Sequence, residues 1–120
     1  MKYVFLVYQG STPLPASPDA WATLPKDEQK AVYADYEAVN RTPGVEPGLP
    51  LGLPENATTV RVRAGKTVAT EGPFVDTMGA VGGYFVFEAD SLDAAVELAA
   101  RIPAARLGGA IEIRPADKYW

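Results

Sequence analysis

The chain has 120 residues, which suits one domain spanning 1–120, and its 11 Lys and Arg against 15 Asp and Glu give a formal net charge of −4. It contains no cysteine and no histidine, which excludes disulfides, thiol chemistry, a histidine general base and metal sites built from these residues. An acidic chain without a basic cluster is a poor match for a phosphate backbone, so we expect no direct binding to nucleic acid.

Apolar periodicity, β-branched content and Pro or Gly breaks divide the chain into short elements. In chain order, we predict a strand at 2–8, a proline-rich loop at 11–25, a helix at 26–41, a weak edge strand at 49–54, hairpin strands at 58–63 and 66–70, a strand at 81–89, a helix at 92–102 and a strand at 109–115. The apolar stripes expected to be buried are Val32, Tyr36 and Val39 in the first helix and Leu92, Val96, Ala99 and Ile102 in the second. Without the hairpin this order is βαββαβ, which predicts an α+β, ferredoxin-like fold with an inserted β-hairpin.

The two predicted central strands, 2–8 and 81–89, are apolar on both faces. In the first strand the two alternating sets are Tyr3, Phe5 and Val7, and Val4, Leu6 and Tyr8. Two helices cover only one face of a sheet, and a large exposed apolar face is rare in monomers. We therefore expect a homodimer in which two sheets pack face to face, a dimeric α/β-barrel type of assembly.

The opening apolar run YVFLVY is too short for the core of a signal peptide, and no segment reaches membrane-spanning length. We therefore expect a cytoplasmic protein without a membrane partner. Neither a G-x-G-x-x-G pattern nor a Walker loop is present. The sequence predicts no cofactor and no metal site.

The stretch EGPFVDT at 71–77, followed by GGYF at 82–85, resembles the signature of the YCII-related, or DGPF-motif, proteins, which reads roughly D-G-P-F-x-E-T-K-E-x-x-G-G-Y. The opening MKYVFLVY, the segment ATTVRVRAGK and the end IEIRP are also similar, so the resemblance covers nearly the whole chain. It implies the dimeric ferredoxin-like fold and a largely undefined activity. It also implies, for many members, a gene near that of an alternative sigma factor.

This chain departs from the family pattern at several positions. Glu71 stands where the family usually has Asp, and Asp76 stands where it usually has Glu. The charges are kept while the side-chain lengths are exchanged. Met78 and Gly79 replace the usual Lys-Glu pair. A related branch carries a His-Asp dyad proposed to be catalytic, and this chain, without histidine, has no such dyad.

The motif around residues 71–84 is the candidate site. The structural interpretation is a turn at Gly72-Pro73, with Asp76 and Thr77 bonding local backbone amides. The functional interpretation makes Glu71 and Asp76 catalytic carboxylates at the mouth of a cleft, with Asp76 as the base. The paired glycines before Tyr84 indicate either a bulge or space for a ligand.

The residues predicted to bind a ligand are Tyr8, Arg61, Phe74, Thr77, Gly83 and Tyr84. Each also has a structural alternative: the aromatic side chains as core or interface, Arg61 as a solvated or paired cation, and the loop residues as parts of a turn. Two functions follow. One is a cofactor-independent enzyme or small-molecule-binding protein with an acidic cleft at 71–84. The alternative is a non-catalytic accessory or regulatory protein that binds a protein partner, for example an alternative sigma factor.

Overall fold

A computed structural model describes residues 1–76 and 79–118. The strands are β1 Lys2–Tyr8, β2 Val45–Pro47, β3 Thr58–Arg63, β4 Lys66–Glu71, β5 Val81–Glu88 and β6 Ala110–Pro115. The helices are α1 Pro18–Trp21, α2 Lys26–Arg41 and α3 Leu92–Ala99. No helix within the described ranges is both long and apolar enough to span a bilayer.

The main sheet has four strands in the order β2-β5-β1-β6, and every pair is antiparallel. The central position predicted for β1 and β5 is confirmed, with Phe5 opposite Phe85 on one side and Ile113 on the other. Strands β3 and β4 form a separate two-stranded sheet. This α+β arrangement is compatible with a ferredoxin-like fold that carries an inserted hairpin.

Three predicted boundaries are wrong. Residues 49–54 form no strand: the strand is Val45–Pro47, and beyond it the contact with the next strand is reduced to single hydrogen bonds from the Gly48 and Leu51 amides. The predicted loop at 11–25 includes the one-turn helix Pro18–Trp21, which begins at a proline. The last helix ends at Ala99, three residues before the predicted end, and gives way to tighter turns before a buried proline.

The helices cover one face of the main sheet. Phe5 is fully buried there and meets Phe87 edge to face, with ring centroids 6.0 Å apart. In α2, Val32 and Val39 are buried as predicted. The stripe predicted for the last helix is partly wrong: Leu92 and Val96 are exposed, whereas the buried residues are Ala95, Leu98, Ala99 and Ile102. Alanine allows the helix to approach the sheet closely, so Ala95 and Ala99 lie in the core beside Leu98, while Leu92 and Val96 face solvent.

None of the helices in the described part of the chain covers the opposite face of the main sheet. Val4, Leu6 and Val86 are half-buried there, and the Tyr84 side chain is 41% exposed. The molecule is only 18 Å thick in its shortest dimension, which suits one layer of helices on a sheet. As predicted, helices therefore cover only one of the two apolar faces of the sheet. A second copy of the chain on the other face stays a prediction.

The hairpin of β3 and β4 extends away from the main sheet. Its valines are well exposed, Val60 at 60% and Val62 at 69%. At its base the Gly72 amide donates to the Ala57 carbonyl at 2.7 Å, and the Thr59 hydroxyl donates to the Gly72 carbonyl at 2.7 Å. The radius of gyration is 16.1 Å, against roughly 14 Å for a compact domain of this length, which reflects this projecting arm.

Candidate functional site

A cavity of about 630 Å³ lies between α2, the facing ends of β1 and β5, and two loops. One loop, residues 9–17, follows β1, and the other, residues 48–55, follows β2. The second loop is tied to the sheet because the Gly48 amide donates to the Tyr84 carbonyl at 3.1 Å and the Leu51 amide to the Gly82 carbonyl at 3.0 Å. The cavity therefore has a floor of sheet and walls of helix and loop, and its volume is in the range of small-molecule sites.

The paired glycines at the start of β5 shape the floor of this cavity. The register between β1 and β5 shifts here, since Val7 pairs with Gly83 and Tyr8 with Val81, which leaves Gly82 as a bulge. A side chain at Gly82 would collide with Gln9, whose Cγ lies 2.5 Å from the position of a Cβ. At Gly83 the nearest atoms to such a Cβ are 3.9 Å away or more. A Cβ at Gly83, which lines the cavity, would therefore be in ordinary van der Waals contact with the backbone of Leu49 and Pro50 and would not clash.

An aromatic pair forms part of the wall. The Tyr36 ring stacks on Phe85, with centroids 6.5 Å apart and an interplanar angle of 17°, and both residues line the cavity. Leu49 and Leu51 of the second loop also line it and keep much of their surface exposed. The lining is therefore largely apolar and combines flat aromatic rings with partly exposed aliphatic side chains.

Two polar atoms in the lining have no hydrogen-bond partner among the described residues. They are Gln9 Oε1 and Thr12 Oγ1, and both are shielded from solvent. The Tyr36 hydroxyl lies in the same lining, and burial raises its pKa above the ordinary value, an effect opposed by a hydrogen bond with the Gln9 side chain and by the charge of Arg106. Unpartnered buried polar atoms are rare in folded proteins and cost free energy. Side-chain rotation would let these atoms meet a bound molecule.

Formal charge is almost absent from the cavity. Among the described residues that line it, Glu55 alone carries one, and no Lys or Arg contributes. Glu55 is exposed and belongs to a short 3₁₀ turn, Pro54–Asn56. The interior of the site is therefore neutral.

The structure brings two of the predicted ligand-binding residues to this cavity. Gly83 and Tyr84 both line it. Tyr8, at the end of β1, is half-buried and pairs with Val81 and Ala110 without reaching the cavity. A ligand contact for any of these residues stays a prediction.

The remaining predicted site residues lie at or near the hairpin. Glu71 ends β4 and is exposed, and the exposed Asp76 accepts a hydrogen bond from the Gly79 amide through Oδ1 at 2.8 Å. Phe74 is 73% exposed, and the Arg61 guanidinium lies over its ring, 5.6 Å from the centroid.

These four side chains are outside the cavity lining. Thr77 lies outside the described residues. The Asp76 contact matches the structural interpretation of a turn, while the catalytic roles stay predictions. Within residues 1–76 and 79–118, no cluster of three or more acidic side chains is arranged to hold a metal ion.

The sequence did not indicate Gln9, Thr12 or Tyr36 as site residues. Tyr36 follows the apolar period of its helix, which predicts core, and the other two lie in a loop without a motif. The available signal was proline content: the loops 9–17 and 48–55 each contain two prolines, which favour fixed loop conformations that can hold a cavity open.

Comparison with known proteins identifies a family for this chain. The family model of the YCII-related domain matches residues 1–117. An uncharacterised protein of Rhizobium meliloti (strain 1021) is 32% identical over 126 aligned residues, which cover 99% of this chain and 94% of that protein. The name of that relative assigns it no activity.

Proposed function

This chain belongs to the YCII-related family, and we propose that it binds a small organic molecule in the cavity between α2, the ends of β1 and β5, and the loops 9–17 and 48–55. The observation that carries the proposal is the combination of an apolar, glycine-floored cavity with unpartnered polar atoms on Gln9 and Thr12. Such a combination offers apolar surface for affinity and a few polar groups for orientation.

A purely structural role for the paired glycines explains only one of them. Gly82 is required by the close approach of Gln9, whereas nothing in the fold crowds Gly83. A residue in the middle of an apolar sheet would ordinarily gain stability from a side chain, since burying one contributes about 1.5–3 kcal/mol. The empty position at Gly83 therefore supports a cavity kept for a ligand.

The proposal also includes the second copy of the chain. The apolar face formed by Val4, Leu6 and Val86 lacks a helix, and an isologous contact between two such faces would remove it from water. Tyr84 lies on β5 beside this face and also lines the cavity. Dimer formation would therefore fix one wall of the binding site.

The enzyme hypothesis adds a chemical step to this binding function. Asp76 and Glu71 are the predicted catalytic residues, and both are outside the cavity lining of a single chain. For them to act on a molecule in the cavity, the loop that carries them would have to approach it in the assembled dimer. The binding proposal does not depend on that step.

The test fills the cavity. In Gly83→Leu the new Cβ makes only ordinary van der Waals contact with the backbone of Leu49 and Pro50, and the added bulk falls at a residue that lines the cavity, so the variant is expected to fold and to lose binding. Ala34→Leu adds comparable bulk at an exposed position of α2 that does not line the cavity, and serves as the control. A panel of neutral and anionic aromatic compounds is screened by ligand-observed NMR. We expect binders of wild type and Ala34→Leu that Gly83→Leu does not retain, and binders retained equally by all three proteins would contradict the proposal.

A further inference from the structure

We infer that the ligand is an uncharged, ring-containing molecule with a polar, hydrogen-bonding head group such as a carboxamide, a lactam or a hydroxyl. This inference rests on the proposed function and specifies the substrate class of the same cavity. It excludes phosphate esters and carboxylates, the charged classes that dominate small metabolites. Three independent features of the described lining carry it.

The first feature is the lack of a counter-charge. No Lys or Arg lines the cavity, and its one charged side chain is the carboxylate of Glu55. Moving an anion from water into an apolar site without a cation is strongly unfavourable. The nearby acidic side chain adds repulsion. Among the described residues that line the cavity, an anionic ligand would therefore find no cationic partner for its charge.

The second feature is the set of neutral polar atoms at one end of the cavity. Gln9 Oε1 accepts hydrogen bonds, and the Thr12 hydroxyl both donates and accepts. Neither atom has a hydrogen-bond partner among the described residues. The Tyr36 hydroxyl nearby stays protonated because burial opposes its ionisation. A carboxamide or lactam, with one donor and one acceptor side by side, complements these groups, whereas a carboxylate has no donor for Gln9.

The third feature is the flat wall. Tyr36 and Phe85 are stacked at 17°, and together they present aromatic surface along one side of the cavity. Beside this pair, the backbone of Gly83 lies two residues before Phe85 on the same strand and carries no side chain. A flat ring placed over Gly83 next to these aromatic side chains would gain offset stacking in addition to apolar burial.

Matched pairs of compounds test the inference. Naphthalene-2-carboxamide and 2-naphthoate have the same ring and nearly the same shape, and differ in the charge of the head group. Biphenyl-4-carboxamide and biphenyl-4-carboxylate repeat the comparison at greater length. Dissociation constants are measured by isothermal titration on wild type, Gly83→Leu and Thr12→Val at one salt concentration.

We expect each amide to bind wild type at least tenfold more tightly than its carboxylate. Gly83→Leu should abolish binding of the amides, and Thr12→Val should weaken it about tenfold. If the amide and the carboxylate bind equally and both are displaced by Gly83→Leu, the inference is wrong and the proposed function stands. If neither member of either pair binds, or if binding survives Gly83→Leu, the inference and the proposed function are both contradicted.

Discussion

The unpartnered hydroxyl of Thr12 predicts a substitution with opposite effects on folding and on binding. Thr12 Oγ1 is shielded from solvent and meets no hydrogen-bond partner among the described residues. Valine has nearly the shape of threonine but carries a methyl group in place of the hydroxyl. Thr12→Val therefore removes an uncompensated polar group from the ligand-free protein without opening a cavity.

The magnitude follows from the cost of burying a hydroxyl without a hydrogen bond, which is about 1–3 kcal/mol. We expect Thr12→Val to raise the free energy of unfolding by about 1 kcal/mol. For a chain of this length that corresponds to a rise in Tm of roughly 3–5 °C. The same substitution should weaken the binding of a carboxamide ligand, because it removes the hydroxyl that is proposed to form a hydrogen bond with the ligand.

Thr59→Val is the matched control. Thr59 is also half-buried, but its hydroxyl donates to the Gly72 carbonyl at 2.7 Å. Its replacement should lower the free energy of unfolding by about 1 kcal/mol, the typical net contribution of one hydrogen bond. Urea denaturation with the slope m compared among the three proteins measures both effects. Destabilisation of Thr12→Val to the same degree as Thr59→Val would refute the reasoning, because it would show that the Thr12 hydroxyl has a partner in the ligand-free chain.

Three other predictions concern the assembly, the buried phenol and the turn. Val86→Glu should convert the expected dimer to a monomer in analytical ultracentrifugation, because an isologous interface would carry the added charge twice. The control Val96→Glu, on the exposed side of α3, should leave the dimer intact. A monomeric wild type would contradict this prediction. Burial raises the pKa of Tyr36 above 10.0, so the folded state holds this proton more tightly than the unfolded state. The contribution of this group to the free energy of unfolding is fully present below about pH 10 and is lost as the pH rises further. Tyr36→Phe should lessen that alkaline loss in urea titrations at increasing pH, and an unchanged profile would contradict the assignment. Asp76→Asn keeps an Oδ1 acceptor for the Gly79 amide, so its free energy of unfolding should stay within about 0.5 kcal/mol of the wild-type value. Any catalytic turnover that survives this substitution would rule out Asp76 as the base.

Regular elements with a clear period could be predicted from the sequence. The boundaries of β1 and α2 agree with the predicted 2–8 and 26–41, since both segments have a continuous apolar pattern and end at Gly or Pro breaks. The strand β2 was misplaced because three residues give no period. It is defined by its pairing with β5 across a long sequence separation, with Val45 opposite Phe87.

Burial within the helices was predicted correctly for Val32 and Val39 of α2 and for only part of the stripe of α3. In α2 the stripe of Val32 and Val39 is buried, because these are its bulky apolar residues on one face. In α3 two of the three buried residues are alanines. Leu92 and Val96, which the apolar period predicts to be buried, are exposed. Side-chain size and burial differ where a helix packs closely against a sheet, and one sequence does not show how close that packing is.

The candidate site was half visible in the sequence. The double glycine drew attention to Gly83 and Tyr84, and both residues line the cavity. Its polar end, formed by Gln9 and Thr12, depends on a loop that folds over the sheet and meets residues far away in the chain. No local pattern encodes that contact, so the sequence alone directed attention to Asp76 in the neighbouring loop.

The location of the binding site is the central claim, and chemical-shift mapping tests it most directly. Isotope-labelled wild-type protein is titrated with naphthalene-2-carboxamide, and the backbone amide shifts are followed in two-dimensional NMR spectra. The largest changes should fall on the amides of Gln9, Thr12, Gly82 and Gly83, which surround the cavity. Changes confined to the hairpin at 58–71, or no saturable change at any residue, would contradict the account.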